Sequence, residues 1–310
     1  MIIAHNINAM TACRYMTQNM NMLSKAMQRI SSGLRINSAA DNPAGLGISQ
    51  GMKAQIRGLE QSSRNVQDAI SVIQVADGAL NESTSILQRM KVLATQSANG
   101  TLTYVDRNNI QQEINQLTSE INNIANNTEF NTIKLLNGND KNINELNIQI
   151  GANGCQMMGI QFEDMRAKAL GISGDYGESA ISKDASVIAK FTQNGGVTNG
   201  SGNKLVEYAL DVTAPKNASN SIKIYSDAIE KISSFRGRLG AVHNVLEYRV
   251  NYLNNTAENL MATESRILDA DIAKEIMEYS KYNILFQSSQ ALFSQANQQA
   301  KVIIELLKSL

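Results

Sequence analysis

The sequence predicts a mainly α fold, with long antiparallel helices, a terminal coiled coil and a small β-hairpin and loop region in the middle of the chain. Three observations support this. The 310 residues include two prolines and no tryptophan, which favours long uninterrupted helices. Apolar residues near both ends recur at alternating spacings of four and three, as on one helix face. Glycine, serine, threonine and asparagine concentrate over residues 171–221, where turns are expected.

The first helix is predicted from an apolar seam close to the N terminus. Its spacing is that of a coiled-coil face, and such a seam cannot bury itself in isolation. The seam consists of Met16, Met20, Leu23, Met27, Ile30 and Leu34.

A second seam, from Ile56 to Leu87, predicts one long helix over about 42–98. Asn99 and Gly100 provide a left-handed stop and a turn. Apolar residues then resume helical spacing, which predicts a returning helix and therefore a helical hairpin. They are Ile110, Ile114, Leu117, Ile121 and Ile124.

The pattern changes after residue 128. Ile143, Leu146, Ile148 and Ile150 leave helical spacing and are bounded by glycine-containing turns, which predicts β-hairpins. The stretch over 171–221 is expected to be exposed, rich in loops and tolerant of change.

Helical spacing returns in the second half and predicts a helix over about 221–266 and another from 271 to the end. In the last segment, large apolar residues recur at intervals of seven, and the chain ends on an apolar face. We assign to this seam Leu285, Leu292, Ile303 and Leu310, with Phe286 and Phe293 next to the first two.

Composition excludes several classes of function. The 28 basic and 28 acidic residues balance, so the positive surface that binds nucleic acid is not expected. Cys13 and Cys155 predict no disulfide framework. His5 and His243 do not stand beside further ligands at metal-binding spacing, and no metal or cofactor is expected. No signal peptide or membrane-spanning segment is predicted.

Two patterns resemble catalytic motifs, but simpler interpretations fit them better. The segment over 47–51 matches the G-x-S-x-G pattern of a serine hydrolase, with Ser49 as nucleophile, but no strand pattern precedes it. Glu275 and Glu278 have helix-surface spacing, and we expect both on a solvated face. The sequence therefore predicts no enzyme.

Long stretches resemble bacterial flagellins, the subunits of the flagellar filament. The segment over 32–49, SGLRINSAADNPAGLGIS, carries the strongest match. Further matches include RNVQD at 64–68, TEFN at 128–131, ESRI at 264–267 and QANQ at 295–298. The resemblance covers about 1–173 and 220–310, and it leaves only the middle unmatched.

The resemblance implies a division into layers. An inner coiled-coil tube, ordered on polymerisation, would form from 1–40, which includes the start of a spoke, and from 268–310. A shell of long helices and a β-hairpin would form from 41–173 and 221–267, and 174–220 would be a variable surface insert. The spoke that connects tube and shell would include Arg35, Asn37, Asp41 and Pro43.

The resemblance also implies partners. These are further copies of the chain, an export chaperone at the C-terminal helix, flagellar cap and junction proteins, and the host flagellin-sensing Toll-like receptor. The receptor epitope would comprise Gln88, Arg89, Leu93 and Glu113. An alternative explanation of the same residues is that Leu93 packs between subunits and Arg89 pairs with a neighbouring carboxylate.

The sequence thus predicts a non-enzymatic subunit that self-assembles into an extracellular filament for swimming, exported by the flagellar type III apparatus. A hook-filament junction protein with similar ends is the alternative, and the Ser49 hydrolase is a distant third.

Overall fold

The computed structural model describes residues 6–138, 145–175, 178–183, 187–200 and 205–308. The chain divides into two compact units, one formed by Met1–Arg57 with Thr256–Leu310 and the other by Gly58–Asn255. The mainly α prediction is confirmed. In chain order the helices are α1 (Ile7–Ser32), α2 (Pro43–Ser97), α3 (Tyr104–Asn127), α4 (Pro215–Leu268) and α5 (Ile272–Lys308).

Local signals define where the helices begin and end. Asn6 caps α1 by accepting a hydrogen bond from the Ala9 amide at 3.0 Å, and Gly33 ends the helix in the left-handed conformation, with φ at 71°. A reciprocal capping box between Thr103 and Asp106 starts α3. These contacts satisfy backbone groups that a helix terminus otherwise leaves unpaired.

The unit over 58–255 is built around antiparallel helical segments. Ser63 bonds to Asn254 and Asp77 pairs with Arg236 at 2.7 Å, so α2 and α4 run in opposite directions here. Full burial of each large apolar side chain stabilises this unit by about 1.5–3 kcal/mol. The most buried include Leu80, Leu87, Met90, Ile114, Ile121, Leu246, Tyr225 and Phe235.

Two short antiparallel hairpins follow α3. They are β1 (Glu129–Phe130) with β2 (Ile133–Lys134), and β3 (Glu145–Gln149) with β4 (Met157–Gln161). The second hairpin confirms the predicted β structure, while Ile143 lies outside the described residues. Gly58 of α2 allows the turn between β3 and β4 to approach closely, because a Cβ at residue 58 would lie 2.8 Å from the Ala152 side chain.

The described residues between 173 and 210 form a four-stranded antiparallel sheet, where the composition predicts loops. Its strands are β5 (Ser173–Gly174), β6 (Ser179–Ile181), β7 (Ile188–Thr198) and β8 (Leu205–Leu210), in the spatial order β5-β8-β7-β6. Ala189, Val197 and Leu210 are buried, so the sheet has an apolar face of its own.

Amide side chains of α3 fix this sheet in place. Asn115 donates to the Gly195 carbonyl, Asn122 to Thr198 at 2.8 Å and Asn126 to Asn199 at 2.8 Å. Gln111 donates to the Leu210 carbonyl at 3.0 Å and accepts from the Val212 amide. The polar atoms of buried amides are costly unless paired, and here they pair with backbone groups of the strands and of the residues that follow them. We call Gln111, Asn115, Asn122 and Asn126 the amide ladder.

Beyond the sheet, α4 begins at Pro215, earlier than the expected start near 221. Asp211 accepts hydrogen bonds from the Thr213 amide and from the Asn217 side chain at 2.6 Å. These contacts order the approach to the helix, and proline suits a first helical turn.

Candidate assembly site

The helices α1 and α5 form an antiparallel pair within the unit that contains the two termini. Hydrogen bonds join them at intervals along their length. Asn6 donates to the Ala296 carbonyl at 2.9 Å, Asn19 donates to Ser289 Oγ at 3.0 Å, and Arg29 pairs with Glu275 at 3.4 Å.

The contact face of this pair is narrow and follows a seven-residue spacing. On α1 the buried or half-buried residues include Ala9, Met16, Asn19, Leu23, Ala26 and Ile30. On α5 they include Glu275, Tyr282, Phe286, Ser289, Phe293 and Ala296. Alanines, serine and amides take many positions of this face, so two helices that approach closely bury little apolar area here.

The predicted seam coincides with this face only in part. Met16, Leu23, Ile30 and Leu34 are half-buried, whereas Met20 and Met27 are 59% and 62% exposed. On α5, Leu285 and Leu292 are exposed, and the adjacent Phe286 and Phe293 are half-buried. Large side chains guided the prediction, but Asn19 and Ala26 occupy the inward positions. Ile303 lies in α5, and Leu310 lies outside the described residues.

Large apolar side chains remain in water on the outer faces of both helices. Apolar side chains left exposed in this number are typical of an interaction surface. On α1 these side chains include Ile7, Met10, Tyr15, Met20, Met22 and Met27. On α5 they include Ile272, Ile276, Met277, Ile284, Leu285, Leu292 and Val302.

Glu275 is buried and not solvated, which corrects the sequence expectation for this residue. Its Oε1 pairs with Arg29, while the other carboxylate oxygen has no partner within the described residues. Burial depends on the opposing helix, which the spacing along α5 does not reveal. An ion pair of this kind adds little net stability, but it disfavours any alignment of α1 against α5 that separates Arg29 from Glu275.

The predicted spoke residues form a tight connection between α1 and α2. The guanidinium of Arg35 donates to the carbonyls of Arg266 and Ile267, at 3.0 and 2.6 Å, and so caps the end of α4. The Arg35 amide donates to the Leu268 carbonyl. Pro43 is the first residue of α2, a position where its missing N–H costs nothing.

Asp41 organises the turn between these helices. Its Oδ2 accepts hydrogen bonds from the Ser38 amide at 3.1 Å, the Asn37 amide at 3.2 Å and the Ser38 hydroxyl. The amides of Ser38 and Asn37 lower the pKa of the Asp41 carboxyl below its ordinary value, because they favour the ionised form. Asn37 in turn donates to the Leu34 carbonyl at 3.3 Å.

The four residues of the implied receptor epitope separate into surface and core. Gln88, Arg89 and Glu113 are exposed, and Arg89 pairs with Glu113 at 2.9 Å, joining α2 to α3. Leu93 is only 2% exposed and lies in the core of its own chain. Its side chain therefore does not form part of this surface.

The G-x-S-x-G segment has no nucleophile geometry. Ser49 lies inside α2, is fully buried and donates a hydrogen bond to the Leu46 carbonyl at 2.9 Å. A nucleophile elbow needs an exposed serine between a strand and a helix. The hydrolase alternative is therefore not supported.

The described residues also bear on metal binding and on membrane spanning. In the described ranges, no three His, Cys, Asp or Glu residues cluster as a metal site would require. None of the helices in the same part of the chain combines the length and the apolar character needed to cross a membrane.

Comparison with known proteins decides the family. The model of the bacterial flagellin N-terminal helical region matches residues 3–141, and that of the C-terminal helical region matches residues 222–307. The chain belongs to the bacterial flagellin family. The flagellin of Bacillus subtilis is 45% identical over 99% of this chain and all of its own length. The flagellin of Halalkalibacterium halodurans is 42% identical over the same shares. A 33 kDa core protein of the Treponema phagedenis flagellar filament is 39% identical, again over 99% of this chain and its entire length.

Flagellins are structural proteins, and this membership supports the role of a flagellar filament subunit. A solved structure assigned to the hook-associated class, from Vibrio parahaemolyticus, is also similar, with a TM-score of 0.53 over 74% of this chain and all of its own. Its identity of 12% extends the likeness to the fold alone.

Sequence reasoning missed the Arg29–Glu275 pair and the amide ladder. The signal for the pair was available, since Ala9, Met16, Leu23 and Ile30 already repeat at intervals of seven. Glu275 shares such a repeat with Tyr282 on α5. The ladder also repeats at fours and sevens along α3 but was not recognised, because amides on a helix are usually taken as solvent-facing.

Proposed function

We propose that copies of this chain polymerise into an open helical filament, and that the outer faces of α1 and α5 become buried between copies. The observation that carries this proposal is the large apolar surface left exposed on the two helices. Burial of one such side chain is worth about 1.5–3 kcal/mol, so several per copy outweigh the cost of association. Heterologous contacts that do not close build a filament and not a ring.

Seeded elongation followed by electron microscopy tests this proposal. The full chain is expected to elongate on filament seeds and to gain helical signal in circular dichroism. A chain that lacks residues 1–40 and 271–310 is expected to do neither. If both chains elongate equally, the terminal helices are not the polymerising surface.

A matched set of single changes makes the test sharper. Met20→Gln and Met27→Gln are each expected to slow elongation, because each places an amide in the surface that polymerisation buries. Met157→Gln, which changes an exposed methionine on β4, is the control for the loss of a surface thioether.

The hook-filament junction protein remains the alternative. A junction protein would form at most a short cap on the seeds, whereas a filament subunit elongates in proportion to the supplied monomer. Filament length against monomer concentration therefore separates the two functions.

We further propose that the filament serves swimming outside the cell and that the chain leaves through the flagellar type III apparatus. The exposed apolar face of α5 suits capture by an export chaperone, and flagellar cap and junction proteins would contact the same polymer ends. Deletion of the gene is expected to abolish swimming. Leu292→Gln is expected to weaken co-purification with the chaperone.

Recognition by the host flagellin-sensing Toll-like receptor is a second proposed function, supported by the common surface of Gln88, Arg89 and Glu113. Arg89→Ala and Glu113→Ala are expected to reduce signalling in receptor-expressing cells. Lys91→Ala, at an exposed neighbouring position, is the control. Equal signalling by all three variants would remove this surface from the epitope.

A further inference from the structure

The turn between α2 and α3 contains an asparagine that is followed directly by a glycine, Asn99 and Gly100. Both residues are exposed, and a Cβ at residue 100 would meet no atom within 4 Å. Among the described residues, no acceptor pairs with the Gly100 N–H. Neither a hydrogen bond nor a side chain therefore prevents this nitrogen from reacting with a neighbouring electrophile.

Arg107 of α3 acts on this nitrogen through the peptide group that contains it. Its Nη2 donates to the Asn99 carbonyl at 3.0 Å, and its Nε donates to the Ser97 carbonyl at 3.0 Å, so two bonds hold the guanidinium against the turn. The Asn99 carbonyl and the Gly100 N–H belong to one delocalised peptide bond. A cation bonded to the oxygen withdraws electron density from the nitrogen. The N–H therefore loses its proton more readily, and the deprotonated nitrogen is the reactive form.

The side chain of Asn99 provides the electrophile. The Thr101 amide donates to Asn99 Oδ1 at 3.4 Å. The ring that this bond closes contains both the Asn99 Cγ and the Gly100 nitrogen, which keeps the two atoms close. The Thr101 N–H is also directed at the oxygen on which negative charge develops when Cγ is attacked, as a donor in an oxyanion hole is.

We propose that Asn99 and Gly100 form a self-modifying site, at which the chain converts its own asparagine by way of a cyclic imide. The Gly100 nitrogen gives its proton to hydroxide and attacks Asn99 Cγ, which forms a new C–N bond. The bond between Cγ and Nδ2 breaks, and ammonia leaves with a proton taken from water. Water then opens the imide at either carbonyl and leaves an aspartate or an isoaspartate at position 99.

The same guanidinium accommodates the product. The new carboxylate lies just beyond the end of α2, where the partial negative charge of a helix terminus disfavours an anion. Arg107 already binds two carbonyls at this terminus and carries the opposite charge. The isoaspartate form also adds one methylene group to the main chain. The modification therefore changes the charge and the length of the turn, and the new charge has a cation beside it.

Asn153 provides a control within the same chain. It is exposed and is followed by a glycine, Gly154. Its carbonyl accepts a hydrogen bond from the neutral side-chain amide of Gln149 at 2.7 Å. In the part of the chain that the structure describes, the Asn153 side chain has no hydrogen-bond partner. This site has the same pair of residues as the first, without a cation on the carbonyl or a donor on the side chain.

Peptide mass spectrometry of the full chain, incubated as the monomer at mildly alkaline pH, tests the proposal. Asn99 is expected to convert roughly tenfold faster than Asn153, a ratio that corresponds to about 1.4 kcal/mol in the barrier. In urea the two sites are expected to react at similar rates, because the fold no longer holds Arg107 against the turn. Gly100→Ala is expected to suppress conversion at residue 99 alone.

Substitution of Arg107 separates activation from a merely structural role by the sign of the effect. Arg107→Gln is expected to slow Asn99 to the rate of Asn153, and Arg107→Lys, which keeps the charge, is expected to be intermediate. If Arg107 only rigidified the turn, its removal would speed the reaction instead. Circular dichroism verifies that each variant folds.

Three results would overturn the proposal. They are equal rates at the two asparagines in the folded chain, a ratio that persists in urea, and an unchanged or faster reaction in Arg107→Gln. All of these measurements use the monomer, so they leave the proposed filament function untouched.

Discussion

The two units of the chain use the same element, a long helix with seven-residue spacing, and reach different results. In the unit over 58–255, side chains such as Leu80, Ile114 and Phe235 are almost fully buried. In the α1–α5 pair, the contact face includes alanines, Asn19 and Ser289, while Met20, Met27 and Leu292 lie largely in water. Seven-residue spacing therefore does not determine how much of a helix is buried in the monomer. That depends on how many sides of the helix other segments of the same chain cover.

This difference predicts opposite responses to the same kind of substitution. Phe235→Ala is expected to lower the free energy of unfolding of the monomer by about 3–5 kcal/mol, because it leaves a cavity in a filled core. Phe286→Ala, at a half-buried position of the helix pair, is expected to cost far less in the monomer and to slow elongation instead. Urea unfolding and seeded elongation measure the two effects. Equal losses of monomer stability would contradict the comparison.

The amide ladder extends the comparison to polar contacts. Asn122→Ala is expected to lower the free energy of unfolding by about 2–3 kcal/mol, because one buried and one partly buried backbone group lose their partner. These groups are the Ala167 amide and the Thr198 carbonyl. Asn127→Ala, at an exposed position near the end of α3, is the control. Urea unfolding of both variants makes the measurement.

The Arg29–Glu275 pair offers a smaller and more local effect. Arg29→Met is expected to lower the free energy of local unfolding of α1 and α5 by about 1–2 kcal/mol. The variant leaves a buried carboxylate without its partner, and the effect is modest because Arg29 itself is partly in water. Amide hydrogen exchange along α5 measures this loss. Because Glu275→Leu removes the uncompensated charge, the double variant is expected to regain most of the protection. A double variant that is worse than Arg29→Met would contradict the assigned role.

The smallest effect is expected from the Asp41 turn and depends on pH. The pKa of Asp41 is lowered in the folded chain, so its contribution to stability is present above the ordinary aspartate value near 3.8. That contribution is lost as the pH falls through the folded pKa. Titration by NMR should give a pKa below 3.8 for Asp41, and Asp41→Asn should flatten the acid dependence of the turn. A value at or above 3.8 would contradict the hydrogen bonds to Ser38 and Asn37.

The helices were predictable because their signals are local. Few prolines interrupt the chain, and Asn99 with Gly100 lies just beyond the end of α2, so α1 follows from spacing, and α2 and the turn before α3 follow from spacing and a stop signal. The resemblance of residues 32–49 likewise led to Arg35 and Asp41, which the structure places in the turn between α1 and α2.

The remaining features depend on partners that are distant in sequence. The sheet over 173–210 has the composition of a loop, and its strands are held by amides of α3 that precede them by about 70–100 residues. The spacing along α5 predicts that Glu275 is exposed, but Arg29 lies opposite it and the residue is buried. Leu93 matches a surface motif, yet the packing of α2 turns it inward. Burial of this kind is a tertiary property, and periodicity in one segment does not specify it.

The way in which α3 holds the sheet has a consequence for how this chain can diverge. Asn115, Asn122 and Asn126 bind main-chain carbonyls, which every amino acid possesses. The attachment is therefore indifferent to the side chains of the attached strands, provided that the glycines at 195 and 200 keep their left-handed backbone. Many strand side chains can therefore change during evolution, and another peptide can be grafted there, without loss of the hydrogen bonds from α3.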